Sequence, residues 1–118
     1  MSTYSRLLLS GSTSGREIPV AATATPGTTI HTAVAGAVAF DEVYLWATNT
    51  DTVSHTLTIE WGNAGTVGDH IVDTYSIPPN SLPIPIVTGQ VLNGGLAVKA
   101  FADSASKINI GGYVNRIA

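Results

Sequence analysis

The C-terminal part of the sequence contains the runs LNGGLAVKAFA (residues 92–102) and INIGGYVNRI (residues 108–117). Both runs are rich in apolar and β-branched residues and are interrupted by glycine and asparagine, which is the pattern of β-strands joined by turns. The triplet Asn93-Gly94-Gly95 predicts a tight hairpin or a bulge, because asparagine and glycine tolerate positive φ. These two runs therefore predict an all-β chain.

The rest of the chain repeats this pattern, and no long stretch shows the period of a helix. Short apolar runs alternate with clusters of Gly, Pro, Asn and Asp, which is typical of a sandwich or a barrel. The sequence predicts nine strands, at residues 4–10, 17–23, 28–34, 42–49, 55–61, 70–77, 83–87, 95–102 and 107–117. We expect residues 1–16 to form an extended N-terminal arm with a flexible connector at 11–15, and residues 17–118 to form a single β-sandwich domain.

The composition of the 118-residue chain limits its partners. Only 11% of the residues are charged, whereas soluble domains typically carry about 25%. A β-domain with so few charges has weak protection against association, so we expect much of its surface to be buried in an oligomer or a larger assembly. The net charge of −3 argues against nucleic acid, because phosphate binding needs a basic patch.

Two absences narrow the possibilities further. The sequence has no cysteine, which excludes disulfides and thiolate chemistry and suits assembly in a reducing cytoplasm. No apolar stretch approaches the roughly 20 residues that a membrane-spanning helix needs. No membrane partner is therefore expected.

Alternation along the predicted strands assigns side chains to faces, because successive residues point to opposite sides. In the run HTLTIEWG, residues 55, 57, 59 and 61 are expected to face the core, and Thr56, Thr58 and Glu60 to face water. The run VYLWA is apolar on both sides, which indicates that both sides are covered. Tyr44 and Trp46 therefore lie either under a loop or the N-terminal arm, or at a contact with a partner, where aromatic residues are enriched.

The N-terminal run is also apolar on both sides. Tyr4, Arg6 and Leu8 share one face, and Leu7 and Leu9 share the other. Such a segment can wedge between subunits or cover a sheet edge. We expect its side chains to contribute to subunit or partner contacts.

The sequence contains no recognisable catalytic or metal site. His31, His55 and His70 fall on different predicted strands, and His70 and Asp73 of the polar segment 69–73 point to opposite faces of a strand. Serines are frequent, but no Gly-x-Ser-x-Gly elbow occurs, and no carboxylates pair for glycoside cleavage. The chain is therefore predicted not to be an enzyme, and to bind no cofactor and no metal.

Carbohydrate binding stays open as an alternative function. Trp46, Trp61, Tyr75 and Tyr113 could offer a face on which a sugar stacks. Trp61, however, shares a strand face with Leu57 and is expected in the core.

Four segments together resemble the auxiliary capsid proteins of tailed bacteriophages, which are called decoration or cement proteins. They are WATNT (46–50), HTLTIEWG (55–62), LNGGL (92–96) and GYVNRI (112–117). The resemblance spans residues 40–118 in spacing and strand order. It implies a β-sandwich that is jelly-roll-like. The spacing of the predicted strands also fits an immunoglobulin-like sandwich, which stays open as the alternative strand order.

The resemblance also implies a role and partners. Such proteins commonly form trimers, bind the major capsid protein on the outer surface of the head, and are not enzymes. The chain is thus expected to be made in the host cytoplasm, to form a homotrimer and to stabilise the capsid lattice of the virion; a head–tail, tail or fibre component is the alternative. Arg116 joins the contact candidates because a single arginine in an apolar strand seeks a carboxylate or carbonyl. The candidates for subunit or capsid contact are Tyr4, Arg6, Leu7, Leu8, Leu9, Tyr44, Trp46 and Arg116.

Overall fold

The computed structural model describes residues 3–62 and 69–118. Within these residues all nine predicted strands are found, although β2 is much shorter than expected and β7 extends five residues beyond Val87. The strands are β1 (Tyr4–Leu8), β2 (Ile18–Pro19), β3 (Thr28–Thr32), β4 (Phe40–Asn49), β5 (His55–Gly62), β6 (His70–Ile77), β7 (Ile84–Leu92), β8 (Ala97–Ala102) and β9 (Ile108–Ile117).

The strand pairing is nested. β2 pairs with β9, β3 with β8, β4 with β7 and β5 with β6, all antiparallel. Additional pairs between β4 and β9 and between β5 and β8 fold this ribbon into two sheets. The larger sheet has the order β1-β9-β4-β7 with β2 also beside β9, and the smaller sheet has the order β3-β8-β5-β6. This β-sandwich is a jelly roll, and its order excludes the immunoglobulin-like alternative.

The N-terminal segment begins as an edge strand of the larger sheet. β1 pairs with the C-terminal half of β9, from Tyr4 opposite Ile117 to Leu8 opposite Tyr113. Leu9 then enters the core. The segment thus covers the edge of β9, while the division of the chain into an arm at 1–16 and a domain at 17–118 stays a prediction.

The core lies between the two sheets and is built from alternate residues of the strands. The alternation predicted for β4 is confirmed, since Val43, Leu45 and Ala47 are fully buried whereas Tyr44 and Trp46 are partly exposed on the other side. The largest apolar side chains that are fully buried are Val20, Ile30, Val43, Leu45, Leu57, Ile59, Ile77, Val98, Ile108 and Ile110.

The prediction that Thr58 and Glu60 face water is wrong, because both are buried. They do lie on the outer side of the smaller sheet, but the segment between β2 and β3 crosses that side. Gly27 N donates to Glu60 Oε1 at 2.7 Å, and Thr25 Oγ1 donates to Glu60 Oε2 at 2.5 Å. Alternation correctly predicts the side of the sheet on which Thr58 and Glu60 lie. Their burial is determined by the segment that covers that side.

The turn after β7 does not close a hairpin, which was one of the two structures predicted for Asn93-Gly94-Gly95. Gly94 and Gly95 adopt φ values of 71° and 70°, so a tight turn forms as their sequence indicates. This turn connects β7 in the larger sheet to β8 in the smaller sheet. It therefore carries the chain between the layers and closes no hairpin.

Candidate functional site: the outer face of the larger sheet

The outer face of the larger sheet collects most of the predicted contact residues. Tyr4 and Leu8 are 73% and 58% exposed there, and Arg6 lies between them on β1. Leu7 and Leu9 point the other way, Leu7 packing against the core and Leu9 lying within it. The predicted division of the N-terminal run into two faces is therefore confirmed.

Aromatic side chains from β4 and β9 stack on this face. The rings of Tyr44 and Tyr113 have centroids 5.0 Å apart at an interplanar angle of 18°, and those of Trp46 and Tyr113 are 6.0 Å apart at 29°. The Arg6 guanidinium carbon lies 4.7 Å from the centroid of the Tyr113 ring. We call these four side chains the aromatic row. It runs across β1, β9 and β4.

Glycines make room for the aromatic row. A Cβ atom on Gly89, which has a φ of 96°, would lie only 3.2 Å from the Tyr44 hydroxyl. On β9, a Cβ on Gly112 would collide with the backbone carbonyl oxygen of Tyr44. Side chains at either position would displace Tyr44, so the row depends on backbone that only glycine allows.

A shallow depression adjoins the row beside Trp46. It has a volume of about 340 Å³ and is lined by Glu17, Trp46, Pro83, Gly111 and Gly112. Tyr44 and Trp46 both remain partly exposed, and β1 lies beside β9 rather than over β4. The geometry therefore favours the contact interpretation of these two aromatic residues over the covered one.

The aromatic residues considered for sugar stacking do not form one platform. Trp46 and Tyr113 lie together in the row, but Trp61 packs against the core and Tyr75 is exposed on β6 of the smaller sheet. Tyr44 and Tyr113 turn a ring face towards each other, and the Arg6 guanidinium lies over the Tyr113 ring. Since β9 lies between β1 and β4, these neighbours approach Tyr113 from opposite sides.

Arg116 lies apart from the row, at the end of β9. Its Nε donates to Asp41 Oδ1 at 2.8 Å and its Nη2 donates to Asp41 Oδ2 at 3.0 Å. The carboxylate partner expected for this arginine is therefore present within the same chain. Burial raises the pKa of the Asp41 carboxyl, but the hydrogen bonds from Arg116 and His31 outweigh burial and lower that pKa.

His31 completes this buried cluster. Its Nε2 lies 2.7 Å from Asp41 Oδ2, and its Nδ1 accepts a hydrogen bond from Ser10 N at 3.0 Å. Because Nδ1 accepts, the ring hydrogen is on Nε2 and is donated to Asp41. Ser10, His31 and Asp41 have the composition of a hydrolase triad, but Ser10 Oγ accepts from Thr32 N and both ring nitrogens are occupied. The cluster is structural, joining β3 to β4 and β9.

A second histidine cluster lies at the other end of β4. His55 Nε2 is 2.7 Å from Asp51 Oδ2, and His55 Nδ1 is 2.7 Å from Asp103 Oδ1. The hydrogen bonds to Asp51 and Asp103 raise the pKa of His55 despite the opposing effect of burial. The hydrogen bond from His55 in turn lowers the pKa of Asp51. Sequence reasoning missed both histidine clusters, because their members are far apart along the chain.

The polar segment at 69–73 forms no site among the described residues. His70 Nδ1 is 3.8 Å from Asp73 Oδ1. Residues 3–62 and 69–118 contain no group of three or more acidic, histidine or cysteine residues that could hold a metal ion. Over the same residues there is no helix long and apolar enough to cross a bilayer.

No family model matches the chain, and comparisons with curated proteins and with solved structures also find no match.

Proposed function

We propose that the chain is a virion structural protein that decorates the head of a tailed phage, binding the major capsid protein on the outer surface and stabilising its lattice. The observation that carries this proposal is the aromatic row. Tyrosine, tryptophan and arginine are the residues most enriched at the energetic centres of protein interfaces. Here they are held in place before binding by mutual stacking, which lowers the entropic cost of docking.

The charge distribution on the same face supports protein docking. Besides Arg6, the charged side chains described on this side are Glu42, two residues before Tyr44 on β4, and Glu17, which lines the depression beside Trp46. The centres of protein interfaces are depleted in charged residues. A face with few charged side chains, and with exposed Tyr4 and Leu8 at its margin, fits a protein partner.

A second apolar surface supports the proposal that copies of the chain meet as a homotrimer. Ile71 and Tyr75 on β6 and Val91 on β7 are exposed, and β6 and β7 are the edge strands on one side of the sandwich. A depression of about 370 Å³ lies between these edges and is lined partly by Ile71 and Ile86. A trimer around a threefold position would use this side for its neighbours and the aromatic row for the shell.

A protein partner is favoured over a sugar at the aromatic row. A sugar ring stacks on an exposed aromatic face, whereas Tyr44 and Tyr113 cover each other's faces. The facing sides of this tyrosine pair are therefore closed to a sugar ring. A head–tail or fibre component would use the same surface, and the position of the protein in the particle distinguishes that role from decoration.

The proposal is tested by co-sedimentation of the purified chain with undecorated shells of the phage that encodes it. We expect wild-type protein to bind, and Trp46→Ala and Arg6→Ala each to weaken binding by about tenfold or more. Phe101→Ala on the opposite face is the matched control and is expected to bind normally. Point variants are preferable to deletion of residues 2–9, because the deletion also removes Leu9 from the core.

Two results would contradict the proposal. The first is wild-type protein that fails to bind the shells, and the second is a folded Trp46→Ala variant that binds as well as wild type. The trimer is tested separately by light scattering after size-exclusion chromatography. A mass near three times the 12.2 kDa chain supports it, and a monomer contradicts it.

A further inference from the structure

A separate pocket lies on the outer side of the smaller sheet, away from the aromatic row. It has a volume of about 200 Å³ and is bounded by β5, β6, β8 and the segment between β2 and β3. Its side chains comprise an aromatic ring, a carboxylate and several hydroxyls. They belong to Thr23, Thr56, Thr58, Thr74, Phe101 and Asp103.

Phe101 supplies an aromatic wall that is not stacked on both sides. Its aromatic neighbour in the described part of the chain is His70, at a centroid distance of 6.0 Å and an interplanar angle of 71°. One ring neighbour leaves at least one face of Phe101 without an aromatic cover. This differs from Tyr113, which contacts aromatic rings and a guanidinium.

The hydroxyls of the pocket have unused hydrogen-bonding capacity. Thr58 Oγ1 accepts from Thr74 N at 3.0 Å, so the Thr58 hydroxyl hydrogen can still be donated. Thr23 and Thr56 have no side-chain hydrogen bond to any described residue. Thr74 adopts a φ of 52°, which is unfavourable for a β-branched residue. That conformation lies at a register shift of β6 and directs its amide towards Thr58.

Asp103 supplies a carboxylate oxygen in a fixed orientation. Its side chain is 45% exposed, and its Oδ1 is held by His55 Nδ1 at 2.7 Å. Its Oδ2 has no partner among the described residues and can accept from a ligand hydroxyl. The other nitrogen of the same imidazole, His55 Nε2, lies 2.7 Å from Asp51 Oδ2, so the ring is fixed from both sides and fixes Asp103 in turn. With Oδ1 occupied, Asp103 presents a single carboxylate oxygen, which matches the hydrogen of a ligand hydroxyl.

We infer that this pocket binds one neutral pyranose unit, with the C–H face of the sugar on Phe101 and its hydroxyls on Asp103 Oδ2 and the threonine hydroxyls. A volume of about 200 Å³ is smaller than the roughly 300 Å³ at which sites for drug-sized ligands begin. One sugar ring, rather than an oligosaccharide, is therefore the matching size. The inference does not rest on the proposed docking of the aromatic row. If that row faces a shell, the pocket faces away from it.

The test is a titration of the isotopically labelled full chain, followed by amide chemical shifts. The probes are the methyl glycosides of glucose, galactose, mannose and N-acetylglucosamine, each added to about 50 mM, because a single sugar ring gives dissociation constants on the order of millimolar. We expect saturable shifts for at least one probe at residues 56, 58, 74 and 101–103. Phe101→Ala is expected to abolish them, Phe101→Tyr to retain them, and Thr56→Val to weaken binding severalfold.

The matched control is Trp46→Ala, which is expected to bind the sugar as wild type does. Three outcomes would overturn the inference: no saturable shift with any glycoside, shifts centred on Trp46 and Tyr113, or a stronger response to methylammonium than to the sugars. If Phe101→Ala does not fold, Thr56→Val decides, since it removes only a hydroxyl. Loss of shell binding with intact sugar binding, or the reverse, separates failure of this inference from failure of the proposed function.

Discussion

A histidine cluster lies at each end of β4, and the two clusters differ in their central group. At one end the centre is a carboxylate, Asp41, which receives hydrogen bonds from His31 and Arg116. At the other end the centre is an imidazole, His55, which lies between Asp51 and Asp103. The same residue types are used in both clusters, but the central group differs.

The environment of the central group determines what each cluster contributes. Asp41 and His31 are almost completely buried, so a missing partner would leave a charge or a polar group without water. His55 is nearly buried, but Asp51 and Asp103 are partly exposed and water screens their charges. The first cluster should therefore dominate stability, and the second should set the response to pH near neutrality.

The largest effect is expected for Asp41→Asn. This change leaves Arg116 without its carboxylate and disrupts the hydrogen bond to His31, and breaking a buried pair costs about 3 kcal/mol or more. We expect the melting temperature to fall by about 10 °C or more, as measured by circular dichroism. Glu42→Gln, at the next position but on the outer face, is the control with little effect. An Asp41→Asn variant as stable as wild type would show that the first cluster contributes little.

A smaller, pH-dependent effect is expected for His55→Asn. Because the pKa of His55 is raised, its contribution to stability is fully present below the ordinary histidine value of about 6.5 and is lost as pH rises through the raised value. The pKa of Asp51 is lowered, so its contribution is present above about 3.9 and is lost as pH falls through the lowered value. Both groups therefore contribute fully to stability between about pH 3.9 and about pH 6.5.

Thermal unfolding of His55→Asn and wild type between about pH 5 and pH 9 measures this effect. We expect the variant to melt below wild type at the acid end of the range, and the two curves to converge at the alkaline end. A difference that is constant across the range would contradict the assignment of a charged His55 to the second cluster.

The smallest effect is expected for Lys107→Gln. Lys107 acts on Asp51 through space and is exposed, so its removal should change the free energy of unfolding only slightly, because water screens exposed charges. Urea unfolding at low and high salt provides the measurement. A larger loss that disappears in high salt would mean that charges at this end are less screened than their exposure indicates.

The strands and their inner and outer sides could be predicted from sequence because alternation is local. The burial of Glu60 could not, because it depends on the path of residues 22–27 over the smaller sheet. The aromatic row could be predicted only in part: alternation puts Tyr44 and Trp46 on the face opposite Leu45, but their contact with Tyr113 follows from the register between β4 and β9. Likewise, Asp41 meets Arg116 only because the last strand returns to lie beside β4.

Nested pairing has a consequence for how the chain folds. The strand opposite Tyr4 contains Ile117, and each further pair encloses a shorter stretch of chain inside the last. Such a topology has a high contact order, and domains of this kind fold in milliseconds to seconds rather than microseconds. During translation, β1 and β2 can pair with β9 only after β9 has left the ribosome. We therefore expect the sandwich to assemble only after synthesis of its final strand, with the earlier strands exposed until then.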